Sequence, residues 1–535
     1  MTKSAKNTST ALIVPDLQTG AAMLNRLPLA NPAAAEVQLL NFLDALIANP
    51  PDPADLLALL EQTRVPLCFV EEEMARRYHN KPLPLPELEE KTFQQVLAAW
   101  QKMTRAYALC AELEEPDTRS PQYASRIATI LHRCIYYTGM VMLEHYRARR
   151  DLPPGVWLDL HGYYESAEEW GVASVPVQDA LEHEQQATHC TAAYSTLLLI
   201  DVASPYSQSV RDLNLIRRWA NMWAPLVSVS SPSDDIEIPP FVVELMKDIG
   251  LHPAPSNEVL TADVRRLDTS RLGLQINQTL VLLRQRVPPS QLGLGEETSG
   301  HVIKLMDQLS RPWTLSAAPR KFRRFPTKGK ARVGVSFEAM YFLVTGKEFV
   351  QPDAARTYSR DQFDTLFTFR HMADPSQKLT IQTDVEYPSD DWDVINHSAN
   401  GFRLKRTEVG QKMAHGQLLA VCPHDGENFL LATTNWLMQE TSGGLIAGIA
   451  VMPGLPQGIG VRFVAATPAQ NEAFVRAFLL PPVPAVGEES SLVLPSGTYQ
   501  ASRIMEVAGD SIWQVRLKHI ITRGTDFERV SFERV

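Results

Sequence analysis

Apolar residues in the N-terminal half of the chain recur at intervals of three and four. Between residues 93 and 110 they share one helical face, which is formed by Phe93, Val96, Leu97, Trp100, Met103, Tyr107 and Cys110. This spacing is typical of an amphipathic helix with one buried side, and residues 127–145 repeat it. Shorter helices are predicted at 36–48, 54–63, 180–202, 209–223, 269–284 and 298–309. We therefore expect a flexible N-terminus over residues 1–30 and an all-α helical bundle or solenoid-like domain over residues 31–310.

After residue 331 the hydrophobic period changes to two. Val333, Val335 and Phe337 alternate with polar or small residues, and the same alternation returns at 513–517. Short alternating runs separated by Gly and Pro favour an all-β barrel. Further strands are predicted at 393–395, 402–405, 417–422, 429–437, 446–452, 460–464 and 499–506. We expect a β-barrel over residues 331–465, and a C-terminal β extension over 466–535 that adds strands to it or packs on it.

Composition excludes several classes of protein. The chain has 535 residues, of which 44% are hydrophobic and 21% charged, as in folded proteins of several domains. The longest apolar run, residues 195–203, is less than half of the roughly 20 residues that a membrane helix needs, and the N-terminus lacks the pattern of a signal peptide. We expect a cytoplasmic protein without membrane insertion. Five scattered cysteines argue against a disulfide framework or a thiolate metal site.

A net charge of -10 disfavours general binding to nucleic acid, because phosphates require a broad basic surface. One segment is an exception. Residues 320–332 read RKFRRFPTKGKAR and contain seven Lys or Arg and no acid. We interpret residues 311–330 as a basic linker at which a small anion can dock.

Two short motifs lie at the start of the predicted barrel. Arg320 and Arg324 form an R-x-x-x-R in the basic linker, and Asn396, Ser398 and Gly401 form an N-x-S-x-x-G between two predicted strands. Together they resemble the two-part signature of the PilZ family, over about residues 320–462. The resemblance implies a six-stranded barrel that binds cyclic di-GMP through these five residues and uses no cofactor or metal.

The residue types suit such a ligand. Cyclic di-GMP carries two phosphates and two guanines, and arginine can bond phosphate oxygens, bond the O6 and N7 acceptors of guanine, or stack on the base. Asn396 and Ser398 would offer short hydrogen-bonding groups on the barrel surface. Gly401 would allow a tight turn or a close approach of backbone.

Alternative residues exist for both motifs. Asp268 to Gly273 repeats the N-x-S-x-x-G type pattern, but it precedes a helical run and is interpreted as a helix cap. Arg356 and Arg360 form a second R-x-x-x-R nearer to Asn396. They fall within residues 342–389, which we interpret as an insertion because a compact barrel of this family needs far fewer residues between its motifs.

We therefore interpret the chain as a receptor that converts nucleotide binding at the junction of linker and barrel into a change of domain arrangement or of partner binding. The helical half is the expected surface for a protein partner. No GGDEF-like or EAL-type pattern and no catalytic triad occurs, so we do not expect an enzyme. The alternative is a PilZ-like adaptor in motility, pilus or secretion systems that does not bind nucleotide.

Overall fold

The computed structural model describes residues 12–113, 120–181, 187–231, 241–254, 261–315, 324–352, 387–464 and 472–535. The chain divides into two compact units. We call the first, Met1–Lys81 with Leu85–Arg320, the helical unit, and the second, Pro82–Pro84 with Lys321–Val535, the β unit. Each is described by itself.

The helical unit is built from amphipathic helices around one continuous apolar core. The helices are α1 (Leu17–Leu24), α2 (Pro32–Ala48), α3 (Pro53–Ala75), α4 (Glu87–Leu113), α5 (Pro121–Arg147), α6 (Val156–Glu169), α7 (Cys190–Val202), α8 (Val210–Trp223), α9 (Ser270–Arg284) and α10 (Ser299–Trp313). The face predicted for 93–110 is the buried face of α4, where Trp100 and Tyr107 stack on either side of Tyr137 from α5. Burial of this face explains why the 3.6-residue period was visible in the sequence.

Several details of the helical unit differ from the prediction. A flexible N-terminus over 1–30 is wrong from residue 17 onward, because α1 begins there with the Asp16 side chain accepting from the Thr19 amide. Helix α3 continues through Pro66, since Leu67 and Val70 beyond it are fully buried. The helix predicted for 180–202 begins only at Cys190.

The helical unit also contains short strands, which were not predicted from the sequence. Strands β1 (Val177–Gln178) and β2 (Ala187–Thr188) form a small pair. Strands β3 (Ser228–Ser230), β4 (Phe241–Glu244), β5 (His252–Pro253) and β6 (Val264–Asp268) form a sheet of order β3-β6-β4-β5. The N-cap residue of α9 is Thr269, and the Asp268 carboxylate before it accepts from the Ser270 amide at 2.9 Å, at the first residue of the helix.

The first half of the β unit is a ring of strands. It contains β7 (Phe325–Pro326), β8 (Lys330–Val335), β9 (Asp390–Ser398), β10 (Gly401–Arg406), β11 (Leu418–Pro423), β12 (Leu430–Gln439) and β13 (Leu445–Val451). Among these, β9 pairs with both β8 and β10. The sheet order β10-β13-β12-β11-β8-β9 therefore closes on itself, and β7 is added beside β9. We call the six strands β8 to β13 the first barrel.

The second half of the β unit is a separate closed barrel. Its strands are β14 (Gln457–Phe463), β15 (Val475–Leu480), β16 (Ser491–Pro495), β17 (Ile504–Ala508), β18 (Ile512–Arg523) and β19 (Phe527–Arg534), in the order β14-β15-β16-β19-β18-β17. The predicted boundary between barrel and extension at 465/466 is therefore wrong. β14 pairs with β15 and β17, not with the first barrel, and residues 466–535 complete a barrel of their own.

A helix lies between the two barrels. Helix α11 (Phe337–Thr345) starts where the sequence alternation had been read as a continuing strand, because Ser336 caps it by accepting from the Ala339 amide. Its Met340 is fully buried in a cluster with Leu418 and Leu431 of the first barrel and Phe478 of the second. Residues 342–345 thus belong to the core of the β unit and not to an insertion. Residues 353–386 lie outside the described part of the chain.

The predicted fold class, helices in the N-terminal half followed by a β-barrel region, is confirmed. Among the helices that the structure describes, none combines the length and the apolar character required to cross a membrane.

Candidate functional site

The motif that contains Asn396, Ser398 and Gly401 forms the β9–β10 hairpin of the first barrel. The register of this hairpin shifts between the pairs Arg403–Asn396 and Leu404–Val394, which leaves Ile395 as a bulge. A bulged residue turns the side chain after it to the opposite face of the sheet. Val394 is therefore buried, whereas Asn396 and Ser398 are half-buried on the outer face.

The end of the basic linker runs beside this hairpin. In β7, Phe325 pairs with His397 and Pro326 pairs with Asn396. The same antiparallel register, continued by one residue, places the exposed Arg324 opposite Ser398. Residues opposite each other in an antiparallel pair point to the same face. Arg324, Asn396 and Ser398 therefore share one face, although residues 325–395 separate them in the sequence.

Contacts on the face opposite to Asn396 and Ser398 hold β7 against β9. The Thr327 hydroxyl lies 2.6 Å from His397 Nδ1, and the Phe325 ring lies 5.8 Å from the His397 ring. The alternation of side chains along β9 directs His397 away from the face that carries Asn396 and Ser398. His397 thus fastens the linker to the motif strand and leaves the outer face open.

Gly401 is required by the protein's own backbone. It pairs with Ser398 on one side and with Ala450 of β13 on the other. A Cβ at this position would overlap the Ile449 carbonyl oxygen and lie 3.2 Å from the Ala450 Cα. Of the two roles expected for Gly401, the structure shows the close approach of backbone.

The polar side chains of this face have few partners. Within the described residues, neither Arg324 nor the Asn396 amide makes a side-chain hydrogen bond or ion pair, and the Ser398 hydroxyl makes only a long one of 3.4 Å to the Gly401 carbonyl. Their donors and acceptors are therefore available to a ligand. Arg320, Arg356 and Arg360 lie outside the described residues, so the structure does not place them.

One arginine on this face was not identified from the sequence. Arg403 pairs with Asn396 on one side and with Gly448 on the other, and Gly448 pairs with Trp436 of β12. The Arg403 guanidinium carbon lies 5.5 Å from the centre of the Trp436 ring. The signal that could have revealed it is its position two residues after Gly401, which puts it on the same face of β10.

The face combines groups that suit an anionic ligand with a flat base. Two arginines, one amide and one hydroxyl surround a floor that has no side chain at Gly401 and only a methyl group at Ala450. Guanidinium groups bind phosphate oxygens or purine edges, and the amide and hydroxyl add short hydrogen bonds. Across the described residues, no group of three or more His, Cys, Asp or Glu is arranged to hold a metal ion.

The geometry defines a class of protein with a helical unit, two successive six-stranded barrels, and a basic strand beside a motif hairpin. Residues 18–234 match the family model described as "Cyclic-di-GMP receptor FimW, N-terminal domain", and residues 459–535 match "FimW C-terminal beta-barrel domain". The second match coincides with the second barrel. The chain is also 23% identical over 490 residues to the cyclic-di-GMP receptor FimW of Pseudomonas aeruginosa. The aligned region covers 84% of this chain and 79% of that relative.

Proposed function

We propose that the chain is a receptor for cyclic di-GMP and that the nucleotide binds on the outer face of the first barrel. The observation that carries the proposal is the pairing of Phe325 and Pro326 in β7 with His397 and Asn396 in β9, because Arg324 directly precedes this pair. Similarity to a relative described as a cyclic-di-GMP receptor, over most of both chains, supports the same ligand.

In this proposal Arg324, together with Arg320 earlier in the linker, binds phosphates and guanines of the ligand. Asn396 and Ser398 hydrogen-bond to it from the barrel, and Gly401 keeps the floor low by allowing β13 to approach. The first barrel then acts as a PilZ-type domain. Its six-stranded closure and the start of β7, directly after Arg324, beside the motif hairpin support that assignment.

The linker predicted at residues 311–330 is shorter than expected, because α10 continues to Trp313 and β7 begins at Phe325. We further propose that the ligand fixes the linker between these two elements, and so changes how the helical unit and the β unit are arranged or which protein partner the helical unit binds. The linker carries the arginines that the ligand would contact, so binding and linker conformation are energetically coupled. The chain would act in the cytoplasm as a sensor, without a cofactor and without catalysing a reaction.

Isothermal titration calorimetry of the full chain with cyclic di-GMP tests this function. A hydrogen bond to a charged group contributes roughly 1.5 to 3 kcal/mol, so replacing both Arg320 and Arg324 by alanine should weaken binding about a hundredfold or more. Arg516→Ala is the matched control, because Arg516 is a surface arginine of β18 that pairs with Glu533 at 3.1 Å, in the second barrel. It should bind as the wild type does.

Two results would overturn the proposal. If the wild type gives no binding heat with cyclic di-GMP and does not bind a labelled form of the nucleotide, the chain is not a receptor for this ligand. The interpretation as an adaptor that does not bind nucleotide then replaces the receptor function. If the wild type binds but the double variant binds equally well, the ligand does not occupy the face beside β7.

A further inference from the structure

Arg403 is held by stacking and not by hydrogen bonds. Its guanidinium carbon lies 5.5 Å from the centre of the Trp436 ring, and its Nε is covered from solvent. Within the part of the chain that the structure describes, Arg403 has no hydrogen-bond or ion-pair partner. A covered guanidinium donor without an acceptor is costly, so its remaining N–H groups favour an acceptor supplied from outside the protein.

Arg406, on the same strand, shows the contrast. It is 5% exposed, and its guanidinium contacts the Asp390 carboxylate and donates to the Gln411 carbonyl at 2.9 Å, while its carbon lies 4.9 Å from the Trp392 ring. Stacking on an aromatic ring is common to both arginines. The Nε of Arg406 is also covered without an acceptor, so the two arginines differ at their terminal nitrogens. Those of Arg406 have protein acceptors, which is typical of a structural arginine, whereas those of Arg403 have none among the described residues.

The local backbone is shaped to hold the stack. The β12–β13 register shifts between Thr434 and Trp436, so that the buried Thr434 and the half-buried Trp436 point to opposite faces. A Cβ at Gly448 would overlap the Trp436 indole, which shows that the ring lies directly on the strand backbone. Trp436 therefore has little freedom, and it fixes the plane of the Arg403 guanidinium.

We propose that Arg403 is a specificity residue of the nucleotide site and that it reads the O6 and N7 acceptors of one guanine. This inference rests on the proposed function. Arg403 faces Asn396 across the β9–β10 pair, so a nucleotide bound at Asn396 lies within reach of it. Guanine presents two acceptors to an arginine fork, whereas adenine presents an amino donor in place of O6. Arg403 thus favours a guanine dinucleotide over the adenine analogue.

The test compares cyclic di-GMP with cyclic di-AMP on the full chain by calorimetry. Arg403→Lys keeps the charge but loses the planar fork, so it should weaken cyclic di-GMP binding about tenfold or more. Binding of cyclic di-AMP should change far less, so that the ratio of the two affinities falls. The matched control is Arg462→Lys, because Arg462 of β14 also stacks on an aromatic ring, with its carbon 4.2 Å from Phe474, and pairs with Glu506.

The ratio of the affinities for cyclic di-GMP and cyclic di-AMP distinguishes a specificity role of Arg403 from a merely structural one. It also allows the inference to fail while the proposed function stands. A loss of stability alone would lower both affinities together, and Arg403→Lys would then leave the ratio unchanged, which overturns the inference. If Arg403→Lys binds both nucleotides as the wild type does, the inference is also wrong, while the receptor function stands. If the wild type binds neither nucleotide, the proposed function fails and the inference fails with it.

Discussion

Replacing Gly401 by alanine tests the closest backbone approach in the candidate site. The new Cβ would overlap the Ile449 carbonyl oxygen and lie 3.0 Å from the carbonyl carbon. Both are backbone atoms, so no change of rotamer can relieve the overlap. A carbon needs about 3.3 Å from a carbonyl oxygen, and β10 and β13 must therefore separate by more than about 1 Å near this pair.

The cost follows from the bonds that such a separation breaks. The Val451 amide donates to the Asn400 carbonyl at 2.9 Å beside Gly401, and a shift of about 1 Å takes this bond out of range. Overpacking costs about 1 to 3 kcal/mol and a lost hydrogen bond about 1 kcal/mol, so Gly401→Ala should lower the free energy of unfolding of the β unit by about 2 to 4 kcal/mol. Cyclic di-GMP binding should weaken at least about tenfold, because Gly401 of β10 pairs with Ser398 and a shift of β10 would disturb the motif hairpin.

The assay is urea unfolding followed by circular dichroism, together with calorimetry of cyclic di-GMP. Gly509→Ala is the control in the same unit, because a Cβ there makes only an ordinary contact of 3.7 Å with Ile459 Cγ2 in the second barrel and the residue does not have a left-handed conformation. The control should stay within about 0.5 kcal/mol of the wild type. If Gly401→Ala is as stable as Gly509→Ala and binds equally well, the close approach of β13 to the motif is refuted.

Two further predictions concern the helical unit. The fully buried Asp179 forms ion pairs with Arg64 at 2.8 Å and with Arg133 at 3.0 Å. Asp179→Asn should therefore lower the free energy of unfolding, measured by urea titration, by about 3 kcal/mol. The control Asp44→Asn, at an exposed ion pair, should change it by less than about 1 kcal/mol. Equal effects of the two would contradict this. Burial, reinforced by the adjacent Arg133, lowers the pKa of His132 to about 3, so the unfolded chain binds the extra proton first and stability falls as pH drops below 6.5. Between pH 6.5 and 5 the free energy of unfolding of the wild type should fall by about 2 kcal/mol more than that of His132→Gln. Parallel pH profiles of the free energy of unfolding for the two proteins would refute this prediction.

Local periodicity was sufficient to predict most helices and strands, but not their partners. The face of α4 from Phe93 to Cys110 was visible because burial selects apolar residues at every turn. Strands β3 to β6 were missed because they are two to five residues long and too short to show a period. β14 was assigned to the wrong barrel because pairing depends on residues far along the chain, and its partners β15 and β17 could not be read from alternation.

The site was predictable where a motif existed and not where geometry alone created it. The positions of Asn396, Ser398 and Gly401 followed from a resemblance, and the structure adds that a bulge at Ile395 turns the first two outward. Arg403 belongs to no motif. Its proposed role depends on two register shifts and on Gly448, which lie on three strands and become neighbours only in the folded barrel.

The central claim is that cyclic di-GMP binds on the outer face of the first barrel, where β7 lies beside the motif hairpin. Amide hydrogen exchange of the full chain with and without the nucleotide, read out by mass spectrometry, tests the place of binding directly. We expect slower exchange in peptides that cover residues 320–328 and 396–406. Protection that is absent from these peptides and confined to the helical unit or the second barrel would contradict it.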